Sequence, residues 1–301
     1  MKQAVLLASH GSVDNLDDLA AFVTNVRRGH PPPADLVSEL RRRYQAIGGS
    51  PLNAINDDVA RKLAKRVGVP VAWASRLWKP TFRDALMDLA GRGVERVAFV
   101  PLAQHSSAVY AAAAVPVARE ARVELVCAPN WGQNPRLCRA QADRIVEALE
   151  AQPSGERTTV VMTAHSLPQS IVDAGDPYER EVRASAATVA DQVAGRAHAL
   201  VRFDLAFQSQ GLAGTGAGGA WLGPDIRATL DAARARGERR VVFAPIGFLA
   251  DNVEVLYDLD VEASSMANER SLTYLRARSL NADDDFIDVL ADVASPLLFH
   301  E

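Results

Sequence analysis

An internal repeat constrains this chain more than any other feature. Val5-Leu6-Leu7-Ala8-Ser9-His10 and Val160-Val161-Met162-Thr163-Ala164-His165 are both apolar runs closed by a histidine. Further along, Gly93–Leu102 and Gly237–Ile246 match again, each carrying an apolar run into a proline, Pro101 or Pro245. His10 precedes Pro101 by 91 residues and His165 precedes Pro245 by 80, so the recurring unit has the size of a domain rather than of a short motif. Whatever one half folds into, the other must fold into as well.

The runs Ala4–Ala8, Pro70–Ala74, Arg96–Pro101, Val123–Ala128, Thr159–Ala164, Phe203–Phe207 and Arg240–Pro245 are continuously apolar rather than alternating. Strands of that kind belong to parallel sheets buried on both faces. Helix-period segments lie between them, among them Ala34–Ile47, Phe82–Arg92, Pro135–Ala151, Tyr178–Val193 and Asp225–Arg236. The alternation predicts an α/β fold of two similar Rossmann-like, doubly wound halves with parallel sheets, residues 1–152 and 157–301, with the closing helix packed on the first half. The polar stretch Gln152-Pro153-Ser154-Gly155-Glu156 divides them. Ligands of open α/β sheets bind beyond the carboxyl ends of the strands. Both histidines and both prolines stand there, which predicts a site in a cleft between the halves.

Composition narrows the partners. With 33 basic and 37 acidic residues the net charge is −4, which offers no field for nucleic acid or an anionic membrane. The longest apolar stretches fall well short of the roughly 20 residues of a membrane span. The start reaches His10 too soon for a signal peptide, so a cytoplasmic protein is expected. Two cysteines, Cys127 and Cys138, cannot supply a four-thiolate iron–sulfur cluster, and both read as buried fillers.

His165 follows a buried strand in Thr163-Ala164-His165-Ser166-Leu167-Pro168. Its imidazole titrates near neutrality, so it can take a proton or bind a borderline metal such as Fe²⁺. Glu254, Asp258 and Glu262 recur at i, i+4 and i+8 after the strand-end Pro245-Ile246-Gly247, so a helix here lines three carboxylates on one face. Like charges at that spacing cost a few tenths of a kcal/mol per pair unless compensated. Val253, Leu256, Tyr257 and Val261 form the opposite, apolar side. Gly214–Gly219 satisfies G-x-G-x-x-G, but no strand enters it and no helix follows, so it reads as a loop. His105 closes a strand and either faces the cleft or lies in the core, while His30, His198 and His300 read as exposed.

Four stretches, in order over nearly the whole chain, resemble the ferrochelatases. They are Arg43–Leu52; Thr163–Pro168 with Gly175-Asp176-Pro177-Tyr178; Phe207-Gln208-Ser209 with Trp221–Asp225; and Pro245–Glu254. The resemblance implies a lyase that inserts Fe²⁺ into a porphyrin for haem biosynthesis, with His165 and Glu254 as the catalytic and metal pair and Asp258 and Glu262 as a path for protons or metal. Asn25–Gly29, Arg43-Tyr44 and Ser279-Leu280-Asn281-Ala282 are most similar to the bacterial coproporphyrin III ferrochelatases. That likeness implies porphyrin contacts by Arg27, Arg43, Tyr44 and Ser50, with an arginine fork suited to carboxylates. It also implies Fe²⁺ as substrate, no organic cofactor and passing contact with neighbouring haem-pathway enzymes. Coproporphyrin III is favoured over protoporphyrin IX. Two positions depart from that group: His10 stands where a tyrosine is usual and Asn252 where a histidine is. His10-Gly11-Ser12 is similar instead to sirohydrochlorin cobalt chelatases, so His10 is either a substrate-side axial ligand or a backbone-bonded residue. The alternatives to a ferrochelatase are such a chelatase, whose eight-carboxylate ligand asks for more basic residues than the chain places, or a non-catalytic haem or porphyrin carrier.

Overall fold

The structure, a computed structural model, describes residues 1–152, 155, 157–196, 201–210 and 220–298. The described residues form eight strands in two four-stranded sheets, parallel throughout. The first has the order β2-β1-β3-β4, from β1 (Gln3–Ser9), β2 (Val71–Ser75), β3 (Arg96–Pro101) and β4 (Glu124–Cys127). The second has the order β6-β5-β7-β8, from β5 (Thr158–His165), β6 (Val201–Gln208), β7 (Arg240–Ala244) and β8 (Thr273–Arg276). The two orders are the same pattern, with the repeated strands β1 and β5 second in each sheet and β3 and β7 beside them. The α/β architecture of two Rossmann-like sheets is thus as the sequence predicts. Strand β8 was not anticipated, because four residues bounded by Thr273 and Arg276 carry too little apolar signal.

The chain divides into two compact units: Met1–Pro33, Ser50–Arg136 and Asn281–Glu301 form one, and Ala34–Gly49 with Leu137–Leu280 the other. In the first, helix Phe82–Gly91 buries Phe82, Leu86 and Leu89 against Leu6, Val97 and Phe99 of the sheet. Its start is fixed by a capping box between Thr81 and Asp84. Helix Asp284–Ala294 belongs to this unit, where Lys62 of helix Leu52–Val67 pairs with Asp284 at 2.8 Å.

In the second unit the sheet is covered on both sides. Val160, Met162, Val242 and Ala244 pack against Cys138, Ile145, Leu149, Val189 and Val193 of the helices Pro135–Ala151 and Tyr178–Ala194. On the other side Val161, Val241 and Phe243 receive Ile226 and Leu230 of helix Ile226–Ala235, together with Val255, Leu259, Ala263 and Ala267. Alternate residues of β5 thus enter opposite cores, as a strand's period of two requires. Neither cysteine forms a disulfide; Cys138 is buried, whereas Cys127, on the edge strand β4, is only half-buried. The Gly214–Gly219 stretch, His198, His300 and most of the 153–156 loop lie outside the described residues.

Candidate active site

His165 is the last residue of β5 and the first of that strand to leave the core. Three neighbours fix it. The Tyr178 hydroxyl donates to the His165 carbonyl at 2.9 Å, and the Ser166 amide donates to the Gln208 carbonyl at the end of β6, at 2.8 Å. The third is Gly247, whose amide donates to the Thr163 carbonyl at 2.9 Å. A Cβ on Gly247 would lie 2.6 Å from the Cα and Cβ of Ala164, so only glycine lets the loop after β7 cross here. The ring Nδ1 stands 2.5 Å from the Ser166 carbonyl and so carries the hydrogen, which turns Nε2 toward Glu254 Oε1 at 3.6 Å.

Glu254 is carried by one continuous helix that changes winding. Val253–Val255 is α-helical, Leu256–Ala263 is a π-helix and Ser264–Glu269 is α-helical again. Asn252 caps its start, its Oδ1 accepting from the amides of Glu254 at 2.8 Å and Val255 at 3.2 Å. Asn252 therefore orients Glu254 through the backbone. A spacing of four overshoots an α-turn by about 40° per step, and the wider π-turn, closed by i→i+5 bonds, drifts the other way. Mixing the two keeps 255, 259, 263 and 267 on the core and 254, 258 and 262 beside them. This corrects the expected apolar side: of Val253, Leu256, Tyr257 and Val261 only Tyr257 is buried, and Val261 is 39% exposed.

Electrostatics follow from the placement. Burial works against charge on the His165 ring, but the Glu254 carboxylate, the Ser166 carbonyl and the more distant Asp258 outweigh it and raise the ring to about 9. Burial and the neighbouring Glu254 charge push Asp258 up to about 7, against the pull of the Ser209 hydroxyl, 2.6 Å away, and of Arg43. Burial and the Glu254 charge also push the Tyr178 phenol well above its ordinary range, so it stays a donor. Among the described residues no group of three or more His, Cys, Asp and Glu side chains could by itself hold a metal ion.

Arg43, which the resemblance implies as a porphyrin contact, is engaged with carboxylates of the protein. It reaches Glu39 at 2.8 Å, Asp258 at 3.1 Å and Glu262 at 3.5 Å, with its guanidinium 4.7 Å from the Tyr257 ring centre. This is the compensation that a like-charge stripe needs. Bonds from Arg42 and Arg43 hold Glu39 down at about 2. Tyr44 is buried at 2% exposure. In the other unit, Arg27 Nε donates to the His30 carbonyl at 3.3 Å, Ser50 Oγ lies 3.5 Å from the Leu52 amide, and His10 is exposed just beyond β1 with its carbonyl accepting from Leu77. His105 is buried with its ring against Gly132, and desolvation lowers it to about 4, which keeps it neutral. The structure thus brings His165, Glu254, Asp258, Glu262 and Arg43 together within one unit. Sequence reasoning missed Ser209, Gly247 and the capping role of Asn252, although all three lie in or beside the stretches that carry the family likeness.

The family model described as Ferrochelatase matches residues 2–297. The chain belongs to the ferrochelatase family. A ferrochelatase of Herpetosiphon aurantiacus is 33% identical over 98% of this chain and 98% of its own length. A coproporphyrin III ferrochelatase of Anoxybacillus flavithermus is 31% identical over 96% of this chain and 94% of its own length. Among solved structures, SirB from Bacillus subtilis with Fe³⁺ covers 99% of the chain and 96% of that protein at a TM-score of 0.57. At 14% identity that likeness shows the fold alone. As a ferrochelatase the chain is a lyase for which iron is substrate rather than resident cofactor. None of its described helices is long and apolar enough to cross a membrane.

Proposed function

We propose that this ferrochelatase inserts Fe²⁺ into coproporphyrin III in preference to protoporphyrin IX, in the haem pathway of the cytosol, and that His165 and Glu254 are the insertion pair. The observation that carries the reading is the 3.6 Å approach of His165 Nε2 to Glu254 Oε1, with Asp258 and Glu262 following on the same helix. A porphyrin exchanges two N–H protons for one Fe²⁺, so the site needs bases as well as ligands. Without metal, the pair carries a proton on Nε2, facing the carboxylate. Fe²⁺ takes the place of that proton, since neutral imidazole and carboxylate are both ligands for it. The displaced proton leaves outward through Asp258, whose proton affinity near neutrality lets it both accept and release; as iron passes into the ring, the vacated pair takes one pyrrole proton and the second follows the same outward path. Arg27 and Ser50 are the proposed porphyrin contacts, whereas Tyr44, implied by the resemblance, is buried and is not counted among them. The preference for coproporphyrin III rests on the likeness to relatives named for it, because the Arg43 fork is occupied by protein carboxylates.

The test is steady-state Fe²⁺ insertion into the two porphyrins side by side, by the wild type and by Glu254→Gln. The variant keeps side-chain volume and loses the charge. It should lose 10²-fold or more in kcat, the usual contribution of an acid–base group, while binding porphyrin as before. A variant within twofold of wild type refutes the pair, and a higher kcat/KM for protoporphyrin IX refutes the substrate preference.

A further inference from the structure

The π winding of the site helix decides where Asp258 and Glu262 point, yet π-turns are intrinsically less favourable than α-turns and persist where something fixes them. The structure supplies one such contact from the neighbouring strand β8. Arg276, the last residue of β8, spans the helix start and its π-turn with a single guanidinium. Its Nε donates to Asp260 Oδ1 at 2.6 Å, and its Nη1 lies 3.3 Å from Asp251 Oδ1. Asp251 immediately precedes the cap Asn252 and is held again by the Ser279 hydroxyl at 2.7 Å. Asp260 lies within the π-turn. The arginine side chain is 15% exposed, and Tyr274, two residues earlier on the same face of β8, packs with the core that receives the helix. One rigid strand end therefore ties together the residue before the cap and a residue nine positions later. The carboxylate stripe lies between these anchors and on into the next turn.

We propose that Arg276 is a positioning residue for iron insertion, which fixes the π winding of residues 256–263 by bridging Asp251 and Asp260 and so keeps Asp258 and Glu262 stacked behind Glu254. A slip of that turn to α geometry would add up, by the end of the segment, to a rotation of about one residue, roughly 100°, and carry Glu262 off the line of Glu254 and Asp258. A planar fork reaches both carboxylates at once; a lysine ammonium in the same place reaches one.

This inference rests on the insertion reading above, so its test has one arm that does not depend on catalysis. Hydrogen exchange of peptides from 253–269 and from β5 and β7 is followed in wild type, Arg276→Gln, Arg276→Lys and Asp260→Asn, beside kcat and porphyrin KM for each. Arg276→Gln should speed exchange in 253–269 at least tenfold with the strands unchanged, and should lower kcat tenfold or more with KM within twofold. Arg276→Lys should recover part of both effects. Asp260→Asn, a partly exposed position, should show a smaller change of the same kind, and the double variant should be no worse than Arg276→Gln. Should Arg276→Gln fail to fold, Arg276→Lys and Asp260→Asn decide. Unchanged exchange in 253–269 overturns the clamp; so does kcat within twofold of wild type while Glu254→Gln is inactive. If Glu254→Gln is active, the insertion reading fails and exchange alone judges the clamp.

Discussion

Replacing Asp258 with asparagine should change how the stability of this protein responds to pH. The Asp258 side chain is 6% exposed, and burial with the nearby Glu254 charge raises its carboxyl from 3.8 to about 7 in the folded chain. A raised folded-state pKa means that the native protein binds this proton more tightly than the unfolded chain does. The associated stabilisation is complete below about pH 4 and is lost as pH rises toward 7, where the folded group finally ionises. A difference of about three pH units at about 1.4 kcal/mol each gives roughly 4 kcal/mol lost across that window. Arg43 and the Ser209 hydroxyl oppose this rise, and the value of about 7 already includes their pull. Asparagine does not titrate and nearly preserves shape. Urea unfolding of both proteins from pH 4 to 8 should therefore give a difference, variant minus wild type, that climbs by 2–4 kcal/mol and levels off above pH 7. The subtraction removes groups titrating equally in both, including Glu39, whose lowered pKa acts in the opposite direction. A difference that stays constant within 1 kcal/mol, or that falls with pH, would refute the assignment of a buried carboxyl holding its proton at neutrality.

Two further outcomes test the site. His165→Ala should cost at least 10²-fold in kcat and His10→Ala about tenfold or less, since only His165 faces Glu254 at 3.6 Å; equal losses in steady-state insertion would move the metal to the His10 side. Gly247→Ala should destabilise by about 1–3 kcal/mol, because the new Cβ meets Ala164 at 2.6 Å, and should lower kcat by displacing the strand end that carries His165; wild-type melting and turnover would refute it.

The repeated α/β plan follows from the residues alone, because buried parallel strands must be continuously apolar and a duplicated pattern builds the same sheet order twice. The sequence also singled out His165 and Glu254, since residues at the carboxyl ends of such strands face the ligand side. The spacing of four in Glu254, Asp258 and Glu262 was visible, and only the winding that makes it work was not. A π-turn has no composition of its own; it is chosen by what the helix packs against, here the core that receives Val255, Leu259 and Ala263 together with the Arg276 bridge. Sequence identified Arg43 as a fork for carboxylates but could not say whose. The fold set it beside Glu39, Asp258 and Glu262, residues distant in the chain, and an ion pair of that kind is specified by proximity in space rather than by residue type. The proton held by Asp258 was decided in the same way, since an aspartate is acidic in any exposed position and takes up a proton near neutrality only once tertiary packing removes water and sets Glu254 beside it.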